Sequence, residues 1–206
     1  LNDIILLIVL ELHYCYGVLN IYGIRYGLQG FVPKFGHDVI DLTPEEVTNI
    51  HERGGSVLGS SRGPQDVNDI VDCLERMNVG ILFMIGGDGT LMAATRIADA
   101  IQQRNLKISV VGVPKTIDND LPFTDVCPGF GSVAKYVAVS IMEASLDIES
   151  MASSSTKVFV LEVMGRHAGW IAAAGGLAQQ ERGDPPHIIL FPELLLDEEA
   201  LLKKVD

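Results

Sequence analysis

An α/β fold, with a parallel sheet covered by helices on both faces, is what this sequence predicts, and three observations carry the prediction. Short β-branched or apolar runs, GILFMI (Gly80 to Ile85) and ISVVGV (Ile108 to Val113), are almost free of polar residues, as buried parallel strands are. Between such runs lie segments with apolar residues at helical spacing, so strand and helix alternate. The loops after the strands are rich in Gly, Asp and Lys, and open α/β sheets bind their ligands at the carboxyl ends of strands.

The elements follow in order. IILLIVLELHYCYG is interrupted by Glu11 and His13 and is too short to span a bilayer, so it reads as a buried helix. No basic segment precedes it, as a secretion signal would require. VLNIYGI (Val18 to Ile24) predicts a strand, and the glycines of RYGLQGF a loop. LTPEEVTNIHERGG predicts a helix with a capping box: Thr43 as cap, Pro44 in the first turn, Glu46 three residues after the cap and Gly54 at the stop. SVLGSSRGPQD reads as a short strand entering a Ser/Gly loop. Pro64 then opens a helix whose Val67, Ile70, Val71 and Leu74 share a face. GILFMI is a strand, GGDG a tight loop, and Thr90 to about Gln103 a helix. ISVVGV and the PKTIDND loop lead to a helix from Gly131 to about Ser153. KVFVLEV is a strand, GRHAGWIAAAGGLAQQ a loop and small-residue helix, HIILF a last strand, and LLKKVD lies in a helix. The chain lacks an initiator Met and both ends fall inside helical runs, so a piece of a longer protein is expected. A boundary is placed between residues 114 and 115, giving domains 1–114 and 115–206.

With 206 residues, 48% hydrophobic and 20% charged, a sizeable core and one or two domains of about 150 residues each are expected. The 15 basic and 27 acidic residues leave a net charge of −12. That argues against nucleic-acid or anionic-membrane partners, so a bound phosphate must meet local cations. Cys15, Cys73 and Cys127 are odd in number and lack a CxxC pair, which implies neither disulfides nor zinc and points to a reducing cytoplasm.

Three loops could carry chemistry. In GGDGT (Gly86 to Thr90) the glycines let backbone approach a phosphate, and the following helix aims its free N–H groups at the same place. Asp88 among those donors is the candidate Mg²⁺ ligand, because Mg²⁺ prefers oxygen and bridges to phosphate; a plain strand-to-helix turn is the alternative. In PKTIDND, Asp118 could take a hydroxyl proton, Thr116 could bond a transferred phosphoryl group and Lys115 could offset developing charge. Asp120 would orient a base or cation, while a turn capped by its own side chains is the alternative. In EVMGRHAGWIAAAGG, Arg166 could hold an anion bidentately, with Gly165 allowing close approach. His167 reads as structural and Trp170 as core. Glu193 in LFPE again follows a strand, with an exposed loop acid as the alternative.

GGDGT, PKTIDND, MGR and FPE, in this order along the chain, resemble the phosphofructokinase family. The resemblance implies phosphorylation of the 1-hydroxyl of fructose 6-phosphate. It makes Asp118 similar to the family's base, Thr116 to its transfer-assisting residue and Asp88 to its Mg²⁺ contact. Met164, Gly165, Arg166 and Glu193 would bind the sugar phosphate. Gly87, Asp88, Gly89 and Thr90 would line the donor site, helped by Arg62 and Gly63. Residues 1–114 would then bind the donor and residues 115–206 form part of the sugar-phosphate domain.

Gly89 leaves room for the α-phosphate of ATP where a carboxylate would favour pyrophosphate, whereas Lys115 is typical of pyrophosphate users. Together they look like the ATP users that carry both. Ala93 stands where relatives often have Gly, and Lys157 where many use an Arg to reach a neighbouring subunit's sugar phosphate. The resemblance also implies a homodimer or tetramer. In relatives a Gly-rich donor loop precedes this stretch and further His and Arg ligands follow it, so the chain alone is expected to be inactive. NAD and lipid kinases share GGDGT but lack PKTIDND with a downstream MGR, and a non-catalytic regulatory subunit is the rival of another class.

Overall fold

Ile4 to Leu10 are apolar without a break, so the first helix is apolar on every side and its neighbours decide which residues it buries. In the computed structural model, which describes residues 1–205, α1 spans Asn2–Tyr14 and buries Asn2, Ile5 and Val9. The other side is open, with Leu7 65% and Tyr14 70% exposed. The expected buried helix is therefore buried on one face only, because its partners are a single short helix and a turn. Asn2 is the buried polar residue here, and both ends of its amide are satisfied: Nδ2 donates to the Arg53 carbonyl at 2.9 Å and Oδ1 accepts from the Val57 N–H at 3.0 Å.

The expected strand at Val18 to Ile24 shortens to β1, Tyr22–Ile24, and pairs antiparallel with an unanticipated β2, Val39–Asp41, in the register Gly23 opposite Ile40. The RYGLQGF loop contains a 3₁₀ turn over Gly27–Phe31. Thr43 caps α2 as expected, its Oγ1 accepting from the Glu46 N–H at 3.2 Å, but the helix runs only over Pro44–Val47 before a 3₁₀ turn at Ile50–Glu52. Val47 and Ile50 join Ile5, Val9 and Leu42 in one apolar cluster. SVLG forms no strand among the described residues.

The second cluster is built on a βαβ unit. α3 covers Val67–Arg76 and is capped by Asp66, whose carboxylate accepts from the Asn68 N–H at 2.7 Å, rather than being opened by Pro64. β3 (Ile81–Gly86) leads into α4 (Asp88–Gln103) and back to β4 (Ser109–Pro114). β3 and β4 pair, and the Ser109 N–H donates to the Gly80 carbonyl at 2.9 Å, joining the amino ends of both strands. With α4 as the crossover, the pair is parallel. Leu82, Met84 and Gly86 are buried while Ile81 is 50% exposed. One face of β3 packs into the cluster of α3 and α4, and on the other face the half-buried Ile85 packs against the cluster that holds Ile5 and Val9 of α1, in keeping with the expected cover on both faces. Ile70, Val71, Leu74 and Ile97 form the centre of that cluster.

The chain divides into two compact units, Leu1–Val113 and Pro114–Asp206. In the second, α5 (Phe130–Met151) packs against α6 (Trp170–Ala174) and the 3₁₀ turn Gly175–Ala178 that extends it. α7 follows at Glu198–Val205, and the final residue of LLKKVD lies outside the described residues. KVFVLEV and HIILF, both expected as strands, carry no ladder among the described residues. Val158, Phe159 and Val160 are exposed, so β propensity alone has not supplied the neighbour that a strand needs.

Candidate active site

The first group of site residues sits where β3 meets α4. Gly86 ends the strand with the Thr90 side chain directly against its Cα, so a Cβ there would collide with it. Gly87 is the cap, in extended backbone, and its carbonyl accepts from the N–H groups of Thr90 and Leu91 at 3.0 Å each. Asp88 therefore lies in the first turn of α4, two residues earlier than the helix start expected at Thr90, and is exposed. A 16-residue helix ends there, and its unpaired N–H groups favour an anion. A Cβ on Gly89 would meet no heavy atom within 4 Å, so the space above the turn is open.

Among the described residues no cluster of three or more His, Cys, Asp or Glu side chains is placed to hold a metal. Asp88 as a single exposed carboxylate beside an anion-favouring helix end does fit Mg²⁺, which keeps several waters and shares its remaining ligands with phosphate. Arg62 and Gly63 are exposed, and Gly63 is at φ +90. No hydrogen bond or ion pair joins Arg62 to the Gly87–Thr90 turn among the described residues.

The second group lies in the other unit. Lys115, Thr116 and Asp118 are half-buried. Thr116 Oγ1 accepts from the Asp118 N–H at 3.2 Å, which closes the TID turn. Asp118 Oδ1 is buried without a hydrogen-bond partner; among the described residues it shares that condition only with Arg25 Nε. A buried acceptor left open costs about 1–3 kcal/mol and calls for an explanation. The turn is braced from two sides. Ile117 rests against Gly129, the cap of α5, and Asn119 bonds the backbone at Asp125 and Cys127. Asp120 is exposed.

FPE is joined to the loop that follows MGR through one backbone group: the N–H of Gly169, three residues past Arg166 and 24 before Glu193, donates to Glu193 Oε1 at 2.7 Å. A side chain on Gly169 would strike Phe191 and the Glu193 carboxylate, and one on Gly165, at φ +117, would strike the Ala168 carbonyl. Both glycines are thus required by close approach. Arg166, Met164 and Lys157 are exposed. The ion pair among the described residues is Arg104 with Asp72, which leaves Arg62, Lys115, Lys157 and Arg166 unpaired there. Lys157 makes no side-chain hydrogen bond or ion pair with the MGR or FPE residues among the described residues. His167 is exposed, and Trp170, expected in the core, is 56% exposed. Ile171 and Ala174 are the buried residues of the five-residue α6; Trp170 is one helical turn before Ala174, yet it lies at the exposed start of the helix. An apolar groove of about 520 Å³ between Ile188 and Lys204 is lined by Phe191 and Pro192 of FPE but not by Glu193, Arg166, Met164 or Lys157.

Sequence reading missed Asn119 and Gly169. Asn119 carried a signal, since Asn tolerates left-handed backbone in turns; nothing local marked Gly169.

A model of the family described as Phosphofructokinase matches residues 1–206. The chain belongs to the phosphofructokinase family. It is 49% identical over 187 residues to the pyrophosphate–fructose 6-phosphate 1-phosphotransferase of Xanthomonas campestris pv. campestris, covering 85% of this chain and 45% of that protein. It is 40% identical over 206 residues to the ATP-dependent 6-phosphofructokinase of Trypanosoma brucei brucei, covering 100% of this chain and 41% of that protein. The crystal structure of a pyrophosphate-dependent phosphofructokinase from Marinobacter aquaeolei superposes with a TM-score of 0.86 at 41% identity, over 98% of this chain and 52% of that one. The chain thus spans about half the length of these three relatives, and its fold is the α/β fold of that family. No helix among the described residues is long and apolar enough to cross a membrane.

Proposed function

We propose that this chain carries the donor and sugar-phosphate sites of a 6-phosphofructokinase, which transfers a phosphoryl group from ATP to the 1-hydroxyl of fructose 6-phosphate and gives fructose 1,6-bisphosphate. The observation that supports this most is Asp118 Oδ1, buried and unpartnered in a turn braced by Thr116. Such an oxygen is ready to accept a proton. The 1-hydroxyl oxygen attacks the terminal phosphorus, its proton passes to Asp118 Oδ1, and the bond from that phosphorus to the leaving ADP oxygen breaks. Lys115 offsets charge on the transferring group and the Thr116 hydroxyl donates to it.

Residues 1–114 act as the donor side. Gly87, Gly89 and Thr90 present backbone to the donor phosphates, with Arg62 and Gly63 as outer contacts. Asp88 would hold Mg²⁺, which when bound offsets the negative charge of those phosphates. Residues 115–206 act as the sugar side: Arg166 and Gly165 receive the 6-phosphate, and Met164 and Glu193 receive the sugar. Lys157 is exposed and without an ion pair among the described residues, and would be a cation offered to a neighbouring subunit's sugar phosphate in a dimer or tetramer.

Asp118→Asn in the whole protein tests the base. Turnover of fructose 6-phosphate is expected to fall about 10²–10⁴-fold while calorimetry still detects sugar-phosphate binding; unchanged turnover would refute the assignment. Pyrophosphate as donor is the second reading, favoured by Lys115 and by the 49% identical pyrophosphate-named relative. Initial rates with ATP or pyrophosphate as the sole donor separate the two.

A further inference from the structure

We propose that Asn119 is a positioning residue for this site, holding Asp118 with its open oxygen ready for the proton; the inference rests on the reading of Asp118 as the base. Asn119 has left-handed backbone, φ 53, a conformation that Asn adopts more readily than other side-chain-bearing residues. Both ends of its amide are used. Oδ1 accepts from the Cys127 N–H at 2.8 Å and Nδ2 donates to the Asp125 carbonyl at 3.3 Å. Cys127 is 1% exposed, and its carbonyl accepts from the first residue of α5, Phe130, at 3.1 Å. The residue next to Asp118 is thereby tied to a buried segment that is itself fixed to a 22-residue helix.

The tie has a chemical consequence. The Asp118 N–H is already engaged by Thr116, while its Oδ1 is left without a partner. In a loosened turn a loop N–H could engage that oxygen and turn it away from the substrate hydroxyl, which a base must reach within hydrogen-bond distance. Asn119 touches the loop and not the reacting atoms, so its effect passes through Asp118.

Asn119→Gly in the whole protein keeps the left-handed backbone and deletes the clamp. The expected result is a kcat for fructose 6-phosphate phosphorylation at least about tenfold lower, a KM for the sugar phosphate within about twofold, and faster hydrogen exchange at the Cys127 amide. Added to Asp118→Asn, Asn119→Gly is expected to cause no further loss, because both act through one carboxylate. Full turnover in Asn119→Gly, or two losses that multiply, would overturn the proposal. If Asn119→Gly does not fold, Asn119→Asp serves instead. It keeps the acceptor for Cys127, and loss of slow exchange at that amide in a folded Asn119→Asp protein would count against the clamp. Absence of turnover in the unaltered protein would refute the proposed activity rather than the clamp. The clamp is then decided by Cys127 exchange and the ¹³C shift of the Asp118 carboxyl, and both unchanged in Asn119→Gly would sink it.

Discussion

At the scale of single residues, Gly89 separates a structural from a chemical reason for having no side chain. A Cβ there meets nothing, and the position is in the first turn of α4, where Asp gains from the helix dipole by about 0.3–1 kcal/mol. Gly89→Asp is therefore expected to leave the melting temperature unchanged or raise it. The new carboxylate would stand in the open space above the turn and repel the α-phosphate of a nucleotide. ATP-dependent turnover is expected to fall while pyrophosphate-dependent turnover is spared or gained, as initial rates with each donor would show. Gly165 and Gly169 are opposite cases, since side chains there would meet backbone or the Glu193 carboxylate. The spacing of MGR and FPE could be read from sequence, but the bond from the Gly169 N–H to Glu193 could not, because a contact across 24 residues leaves no local mark.

At the scale of elements, caps were more legible than lengths. Thr43 takes the N–H of Glu46 at 3.2 Å as its spacing predicts. The reciprocal bond from the Glu46 side chain is absent among the described residues, and α2 stops after four residues. Thr43→Ala is expected to cost about 1 kcal/mol, read as a lower urea midpoint. The Glu45 carboxyl is held below its ordinary value of 4.5 by its own backbone N–H and then by the Thr43 hydroxyl. A lowered folded-state value means that this favourable interaction is present at neutral pH and is lost as pH falls through the lowered value. Thr43→Ala should move the Glu45 NMR titration up toward its ordinary position. Strands were less legible. GILFMI and ISVVGV found each other through the α4 crossover, whereas KVFVLEV and HIILF, with similar composition, stayed unpaired among the described residues. A strand is completed by its neighbour, and composition does not name one.

At the scale of the whole molecule, each unit has its own buried residues. Ile70 is fully buried in Leu1–Val113 and Ile171 is 1% exposed in Pro114–Asp206. Ile70→Ala and Ile171→Ala are each expected to cost about 2–5 kcal/mol. Hydrogen exchange read amide by amide should show the first weakening protection around α3 and α4, and the second around α5 and α6. The net charge of −12 means that an anion bound to either unit must meet local cations against a general repulsion, and Arg62 in the first unit and Lys115, Lys157 and Arg166 in the second carry no ion pair among the described residues.

By itself the sequence determined the family, the α/β rhythm, and the turns whose logic is local. Glycines at a strand end and a Thr-Pro cap act through bonds spanning two to four positions, and the chain carries those wherever it folds. Only the tertiary structure decided that Asp118 Oδ1 would be buried without a partner, that Asn119 would brace its turn against Cys127, that Glu193 would meet Gly169, and that Trp170 would face outward. Each of these depends on which distant segment packs alongside, and burial and satisfaction of a polar group are properties of that neighbour as much as of the residue.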